Sequence, residues 1–257
     1  MILTQCAACA VPLGLALRKK RSRCSTRYCG PACQEQHWKG GGHDKLCKKI
    51  RKAGGAEQYH ANTKYAEAVA VAAEACAADT KGQTCYICTE AVHRHTKEGL
   101  VRGSACHTTE GFVHVSCLAE QGKILMDEAE ENNLDFKEKN ETWARWHTCS
   151  LCEQEYHGVV RCALGWACWK TYLGRPEADE SRRIAINLLQ GGLYAAEHYE
   201  DALSVGEAEV AMMRRNGAIE IDLLVAQSNI ASTYRQLGRL GELADAAGRI
   251  HRTFEAQ

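Results

Sequence analysis

The sequence predicts small zinc-stabilised α+β modules followed by an all-α helical-repeat region. Three observations carry this. Cysteine and histidine fall in two clusters at short spacings that suit tetrahedral metal binding. The last third of the chain is patterned as helices and aligns with itself. The composition of the 257 residues, 45% hydrophobic and 25% charged, is too apolar for wholesale disorder, and the length suits one large domain or two to three small ones.

The fifteen cysteines are read for metal rather than disulfides, because the chain reads as intracellular, cytoplasmic or nuclear, where disulfides are rare. No run approaches the length of a transmembrane helix. The opening MILTQCAACAVPLGLAL departs from a secretory signal: its charges follow the apolar part and two cysteines interrupt it. No membrane partner is expected. Net charge is zero, with residues 18–52 basic and 127–141 acidic. That balance gives no general case for nucleic acid as a partner. The run LRKKRSR reads as a solvated loop between ligands or as a nuclear-localisation signal.

The first cluster runs Cys6-AA-Cys9, a fourteen-residue gap, Cys24, Cys29-GPA-Cys33 and His43-DKL-Cys47. A Cys-x-x-Cys bend supplies two thiolates at once, and a four-residue spacing on a helix puts both ligands on one face. CQEQHWKGGGHDKLCKKI fits a short helix, a glycine break and a second helix. Residues 6–47, above all YCGPACQEQHWK and HDKLC, resemble the MYND zinc finger. The resemblance implies two zinc ions held in crossed order. The first takes Cys6, Cys9, Cys29 and Cys33. The second takes His43, Cys47 and a cysteine pair of which only Cys24 is present, since Arg21 stands at the other position. A guanidinium stays protonated and is a poor ligand, leaving water or a neighbour such as His37 for the open position. The family also implies binding of short proline-containing peptides, with Trp38 lining such a groove or packing the small core. MYND fingers occur in some lysine methyltransferases, but no stretch resembles their catalytic domain.

Residues 48–84 form a connector rich in Ala, Lys and Glu. Propensity predicts a helix over 57–78 with Tyr65, Ala68, Val69 and Ala72 on one stripe. Cys76 reads as core, and DTKGQT as the turn that ends the helix.

The second cluster, within residues 85–156, runs Cys85-YI-Cys88, a seventeen-residue gap, Cys106, seven residues, His114-VS-Cys117, a long insert and Cys149-SL-Cys152. CYIC, GLVRGSAC, GFVHVSCL and CSLCEQEYHG resemble the RING-CH finger. That implies one zinc on Cys85, Cys88, His114 and Cys117, and another on Cys106, Cys149, Cys152 and a cysteine two before Cys106. Ser104 occupies that last position, with His107 as a possible substitute. Between them the two clusters are expected to hold two to four zinc ions. A PHD finger shares the ligand order but puts an aromatic where His147 stands, beside Trp146, so RING-CH is favoured. Such fingers dock a ubiquitin-conjugating enzyme on a shallow apolar surface, and Ile87 sits where they often carry an apolar contact. The family often has tryptophan where Gln121 stands, and the insert from 118 to 148 is long for it.

Cys162 and Cys168, among Trp166 and Trp169, read as core. GRP marks a boundary near 174–178. Within residues 180–257, INLLQGGLYAAEHYEDALSVGEAEV and VAQSNIASTYRQLGRLGELADAAGRI align at an offset of about forty residues, Leu193 against Tyr234 and Tyr199 against Leu240. SNIASTYRQLGRLGELADA most resembles tetratricopeptide repeats of the kinesin-light-chain type, which implies paired antiparallel helices that bind peptides or partner proteins. A plain helical bundle is the alternative. Two repeats are fewer than the roughly three a free-standing array needs, so the array is truncated, dimerises or packs on the second finger.

The sequence therefore reads as a zinc-binding adaptor for protein or peptide ligands, without catalytic residues. The alternative is a soluble RING-CH-type ubiquitin ligase that recruits a conjugating enzyme.

Overall fold

The computed structural model describes residues 6–11, 13, 24–104, 106 and 111–255, with backbone only at 136 and 249–255. Arg21, His107 and the LRKKRSR run lie outside the described residues. Among the described residues ten α-helices run in the order α1 (Pro31–Lys39), α2 (His43–Lys52), α3 (Ala56–Ala75), α4 (Val115–Glu131), α5 (Phe136–Trp143), α6 (Gly158–Tyr172), α7 (Glu180–Ala195), α8 (Tyr199–Arg215), α9 (Glu220–Gln236) and α10 (Leu240–Glu255). The described chain is mostly helical. Its β component is two isolated bridges among the described residues, Val101 with Val113 and Thr148 with Glu155. The expected α+β character of the Cys-rich modules is thus barely present. Tight loops between clustered thiols leave no room for paired strands.

Local chemistry places the helix ends. Pro31 opens α1, where its fixed φ suits a first turn. Asp135 and Glu138 close a capping box at the start of α5. The Asp179 side chain accepts hydrogen bonds from the backbone N–H groups of Ser181 and Arg182 at the start of α7.

Helix α6, GVVRCALGWACWKTY, is apolar on all sides, and such a helix must be enclosed. Cys162, Ala163, Leu164, Trp166, Ala167, Cys168 and Trp169 are all buried. Around it pack α3, α4 and α7. The connector is therefore not a spacer. Ala61, Tyr65, Val69 and Ala72 of α3 join the same core as α6, with Ala68 partly buried against it. The Gln58 side-chain amide of α3 donates to the Lys170 carbonyl at 3.1 Å, and the Lys170 ammonium lies 3.7 Å from the centre of the Tyr65 ring. Cys76 is buried, and its thiol accepts from the Arg102 N–H at 3.4 Å.

Two glycines let α6 and α7 touch backbone to backbone. A Cβ at Gly192 would stand 2.7 Å from the Arg161 carbonyl oxygen, and one at Gly165 would stand 3.0 Å from that of Leu188. Beyond α7 the chain continues as consecutive antiparallel helices, α7 on α8, α8 on α9 and α9 on α10. The two hairpins repeat in register: α7 and α9 end at Ala195 and Gln236, and α8 and α10 open at Tyr199 and Leu240. Leu193 and Tyr234, aligned by sequence, are both buried. The first hairpin rests on α6, which supplies the platform that two hairpins alone lack.

A carboxyl of α8 is trapped against α7. Glu209 is 1% exposed, and its Oε2 has no hydrogen-bond partner. Burial pushes its carboxyl up to about 7, against weaker opposing effects of the Asn187 side chain and the Arg183 charge. A folded pKa above the unfolded one means that the native state binds the extra proton. Stability is therefore lost as pH rises from the ordinary carboxylate range to about 7 and stays lower above it. Replacing Glu209 with Gln removes the ionisation. Its thermal midpoint should exceed that of the wild type at pH 8, by the equivalent of about 2–3 kcal/mol, with a smaller gain at pH 5. Equal gains at the two pH values in a melting series would count against this assignment.

Candidate metal centres

Three Cys-x-x-Cys bends share one backbone. In each, the first cysteine's carbonyl accepts from the N–H four residues on: Cys6 from Ala10 at 2.9 Å, Cys85 from Thr89 at 2.8 Å, Cys149 from Glu153 at 2.9 Å. The first cysteine's N–H donates to the carbonyl five residues on, that of Val11, Glu90 and Gln154 respectively. The fourth residue along has a positive φ, 57° at Ala10, 64° at Thr89 and 57° at Glu153. This knuckle points both sulfurs to one side, as two ligands of one ion require. The same turn recurs at His93–Glu98, with Lys97 N–H to His93 carbonyl at 2.9 Å, His93 N–H to Glu98 carbonyl at 3.0 Å and Lys97 at φ 61°. There His93 and Thr96 stand where the cysteines would, joined Nδ1 to Oγ1 at 2.8 Å. Sequence reading missed this fourth knuckle, because residue identities, not backbone shape, drew attention.

Helices supply the remaining donors. Cys33 lies on α1, four residues after Cys29. His43 and Cys47 lie one turn apart on α2. His114 is the N-cap of α4 and Cys117 sits in its first turn. The Glu98 carboxylate holds that helix start by accepting from the Ser116 N–H at 2.7 Å and hydroxyl at 2.6 Å.

The fourteen Cys and His singled out by spacing fall into four groups, each with its donor atoms within 4.8 Å of one another. Centre 1 is Cys6, Cys9, Cys29 and Cys33. Centre 2 is Cys24, His43 and Cys47. Centre 3 is Cys85, Cys88, His114 and Cys117. Centre 4 is Cys106, Cys149 and Cys152. Neighbouring donors are close: Cys9 to Cys29 Sγ 3.6 Å, Cys24 Sγ to His43 Nε2 3.3 Å, Cys88 Sγ to His114 Nδ1 3.3 Å, Cys106 to Cys149 Sγ 3.7 Å. A tetrahedron with metal–sulfur bonds of about 2.3 Å has edges of about 3.8 Å, so these separations suit one ion per group. All fifteen cysteines are free thiols. Cys76, Cys162 and Cys168 stand outside the four groups and are buried. His37 is not in centre 2; its Nδ1 lies 3.0 Å from the Tyr28 hydroxyl.

The electrostatics follow from crowding. Burial pushes the Cys6 thiol up, but backbone groups of Cys29, Ala8 and Cys9 outweigh it and bring it down to about 6. Beside it, the Cys29 and Cys9 thiols push Cys33 up to about 12. In centre 3 Cys85 is lowered by backbone donors that outweigh burial, while burial and the Cys85 charge push Cys117 well up. In centres 1 and 3 one thiol ionises readily and makes the next harder to ionise. Only a cation lets all of them ionise together. Burial also lowers His114, keeping it neutral as a ligating imidazole must be. Its Nδ1 faces the thiols, while Nε2 turns toward the Ala91 carbonyl without closing a hydrogen bond.

These donors suit zinc or another borderline or soft divalent ion. Centres 3 and 4 line the main core: Cys85, Cys106, Cys117 and Cys149 belong to the same apolar cluster as α3, α4 and α6. Gly103 lies against α6, where a Cβ on it would stand 2.4 Å from Val160 Cγ1. The His157 N–H donates to the Gly103 carbonyl at 3.0 Å. The chain matches no protein-family model, no curated protein and no solved structure.

Two sets of cysteine variants test the grouping. Cys85→Ala should lower metal content by one ion and the thermal midpoint by about 10 °C or more, the scale of losing a structural metal. Cys162→Ala and Cys168→Ala should leave metal content unchanged and cost only packing, about 1–2 kcal/mol. Native mass spectrometry and thermal melts separate the two outcomes.

Proposed function

We propose that the protein is a zinc-binding adaptor that brings proteins together, with a MYND-like finger in residues 6–47, a RING-CH-like finger in residues 85–156 and tetratricopeptide-like hairpins from residue 180. The observation that carries this reading is the convergence of fourteen thiol and imidazole donors into four groups built into turns and helix starts. Two of the groups are complete four-donor sets. An ion held by four protein donors has no position left for water or substrate, so it orders the chain and does no chemistry.

The exposed features suit protein recognition. Trp38 on α1, with Pro31, Gln34 and Glu35, lines a shallow groove, and its ring lies 5.8 Å from that of His43 in centre 2. A flat aromatic wall of that kind suits a proline-containing peptide. On α9 and its approach, Ile219, Ile221 and Val225 are exposed, an apolar strip on the hairpins.

A second reading, a ubiquitin ligase, is favoured by a specific pair. Ile87 and Leu151 occupy equivalent positions on the knuckles of centres 3 and 4, and both are exposed. The knuckles are neighbours, with the Tyr86 hydroxyl 3.5 Å from the Ser150 hydroxyl. Together they offer a small apolar platform for a conjugating enzyme.

Autoubiquitination with a panel of conjugating enzymes decides between the two. The adaptor reading expects no activity with any enzyme, and peptide binding that falls about tenfold or more in Trp38→Ala. Activity lost in Ile87→Ala and Leu151→Ala, with zinc content unchanged, would replace the adaptor by the ligase.

A further inference from the structure

Among the described residues, centres 2 and 4 each provide three of the four donors that tetrahedral zinc takes. In both, a buried hydroxyl lies beside a ligand thiol. Thr26 is 4% exposed, and its Oγ1 lies 3.2 Å from Cys24 Sγ. Ser104 is 6% exposed, and its hydroxyl lies near enough to the Cys106 and Cys149 thiols to favour their ionised forms. The two hydroxyls come from unrelated stretches of chain. Thr26 lies two residues after its thiol partner and Ser104 two before. A hydroxyl gives up hydration when buried and needs partners there. Here each finds them among metal-ligating sulfurs.

We propose that the Thr26 and Ser104 hydroxyls complete centres 2 and 4 as oxygen ligands, so that the protein carries two closed zinc ions, in centres 1 and 3, and two exchangeable ones. This rests on the reading that the four groups bind zinc. An alcohol oxygen is a weaker donor to zinc than a thiolate, so the mixed centres release the ion more readily while the closed pair keeps the chain folded. The fourth position of each mixed centre is held by a group that a thiol, a phosphate oxygen or another protein's histidine can displace. The chain thereby gains two places where free zinc concentration sets occupancy.

Centre 2 has a direct outlet to the surface. His43 is one of its donors, and the Trp38 ring that lines the α1 groove lies 5.8 Å away. Centre 4 has an internal one. The segment carrying Gly103 and Cys106 is seated against Val160 of α6, the helix on which the C-terminal hairpins rest.

The test uses the full chain loaded with Zn²⁺ and titrated with EDTA, zinc being counted by native mass spectrometry. The wild type should hold four ions and release two of them at least about tenfold more readily than the others. Thr26→Ala and Ser104→Ala should each weaken one ion of the labile class by about tenfold, with the retained pair and the circular dichroism unchanged. Ser104→Cys should move one ion from the labile to the retained class. In the Co²⁺-substituted protein it should also strengthen the sulfur-to-cobalt charge-transfer band by one thiolate. Alanine variants that keep four ions with wild-type release would overturn the proposal. So would a Ser104→Cys variant with no added cobalt–sulfur band, because the hydroxyl would then not occupy a ligand position. A wild type with two tightly held ions and no labile class overturns hydroxyl completion and leaves the zinc reading standing. A folded wild type that binds no zinc removes both.

Discussion

Thiol groups with their donor atoms within 4.8 Å of one another oppose each other's ionisation, and the rest of the structure depends on how that opposition is resolved. Protonated, the sulfurs are weak hydrogen-bonding groups gathered at close range with little to hold them there. Ionised without a counter-charge they repel. A divalent cation at the centre turns the repulsion into the strongest local attraction in the chain, because each ligand bond adds to folding free energy. The secondary structure starts from these points. Helix α2 begins at His43, and α4 begins one residue after His114. The loops between them, with two isolated β-bridges among the described residues, have little other order to rely on.

From centres 3 and 4 the constraint passes into the apolar core. The Cys85, Cys106, Cys117 and Cys149 side chains share a cluster with Tyr65, Val69, Met126, Trp146 and Trp166, so the metal-bearing loops form one wall of the enclosure around α6. On its other side α6 meets α7 so closely that Gly165 and Gly192 have no room for a side chain. The hairpins are therefore seated by backbone contact, which tolerates little sliding. The polar Glu209 and Gln190 lie among them. Gly206 leaves just enough space for the Gln190 amide, which a Cβ there would approach to 2.4 Å.

Much of this was legible in the residues, and the reasons differ by element. Cys and His spacings are informative because zinc accepts few side-chain types and each needs a fixed geometry. The glycine break between α1 and α2 and the stripe on α3 follow from elementary helix chemistry. The repeat offset is visible because Leu193 and Tyr234 fill the same role in successive hairpins. The centrality of α6 was not legible. Its Gly, Ala, Cys and Trp residues carry no period, since every face is buried, so that the reading of its two cysteines as core did not reveal a helix enclosed on all sides. Nor was the place of α3, whose alanine-rich sequence suits a solvent-exposed spacer equally well. The knuckle at His93–Glu98 is a backbone shape with other residues in it. Thr26 gives no signal at all, because a threonine becomes a neighbour of a metal centre only when the chain is folded.

The two halves of the cysteine-rich region repeat one arrangement. Among the described residues each pairs a four-donor centre with a three-donor centre, and each three-donor centre is tied to a helix beyond its own loop. The Cys24 carbonyl accepts from the Ala56 N–H, the first residue of α3, at 2.9 Å. Cys24 also shares a small apolar cluster with Ile50 and Ala56. In centre 4 the Gly103 carbonyl takes the His157 N–H, at the N-cap of α6. The four-donor centres can thus hold the local fold while the three-donor ones sit at the joints with α3 and α6, which pack on each other.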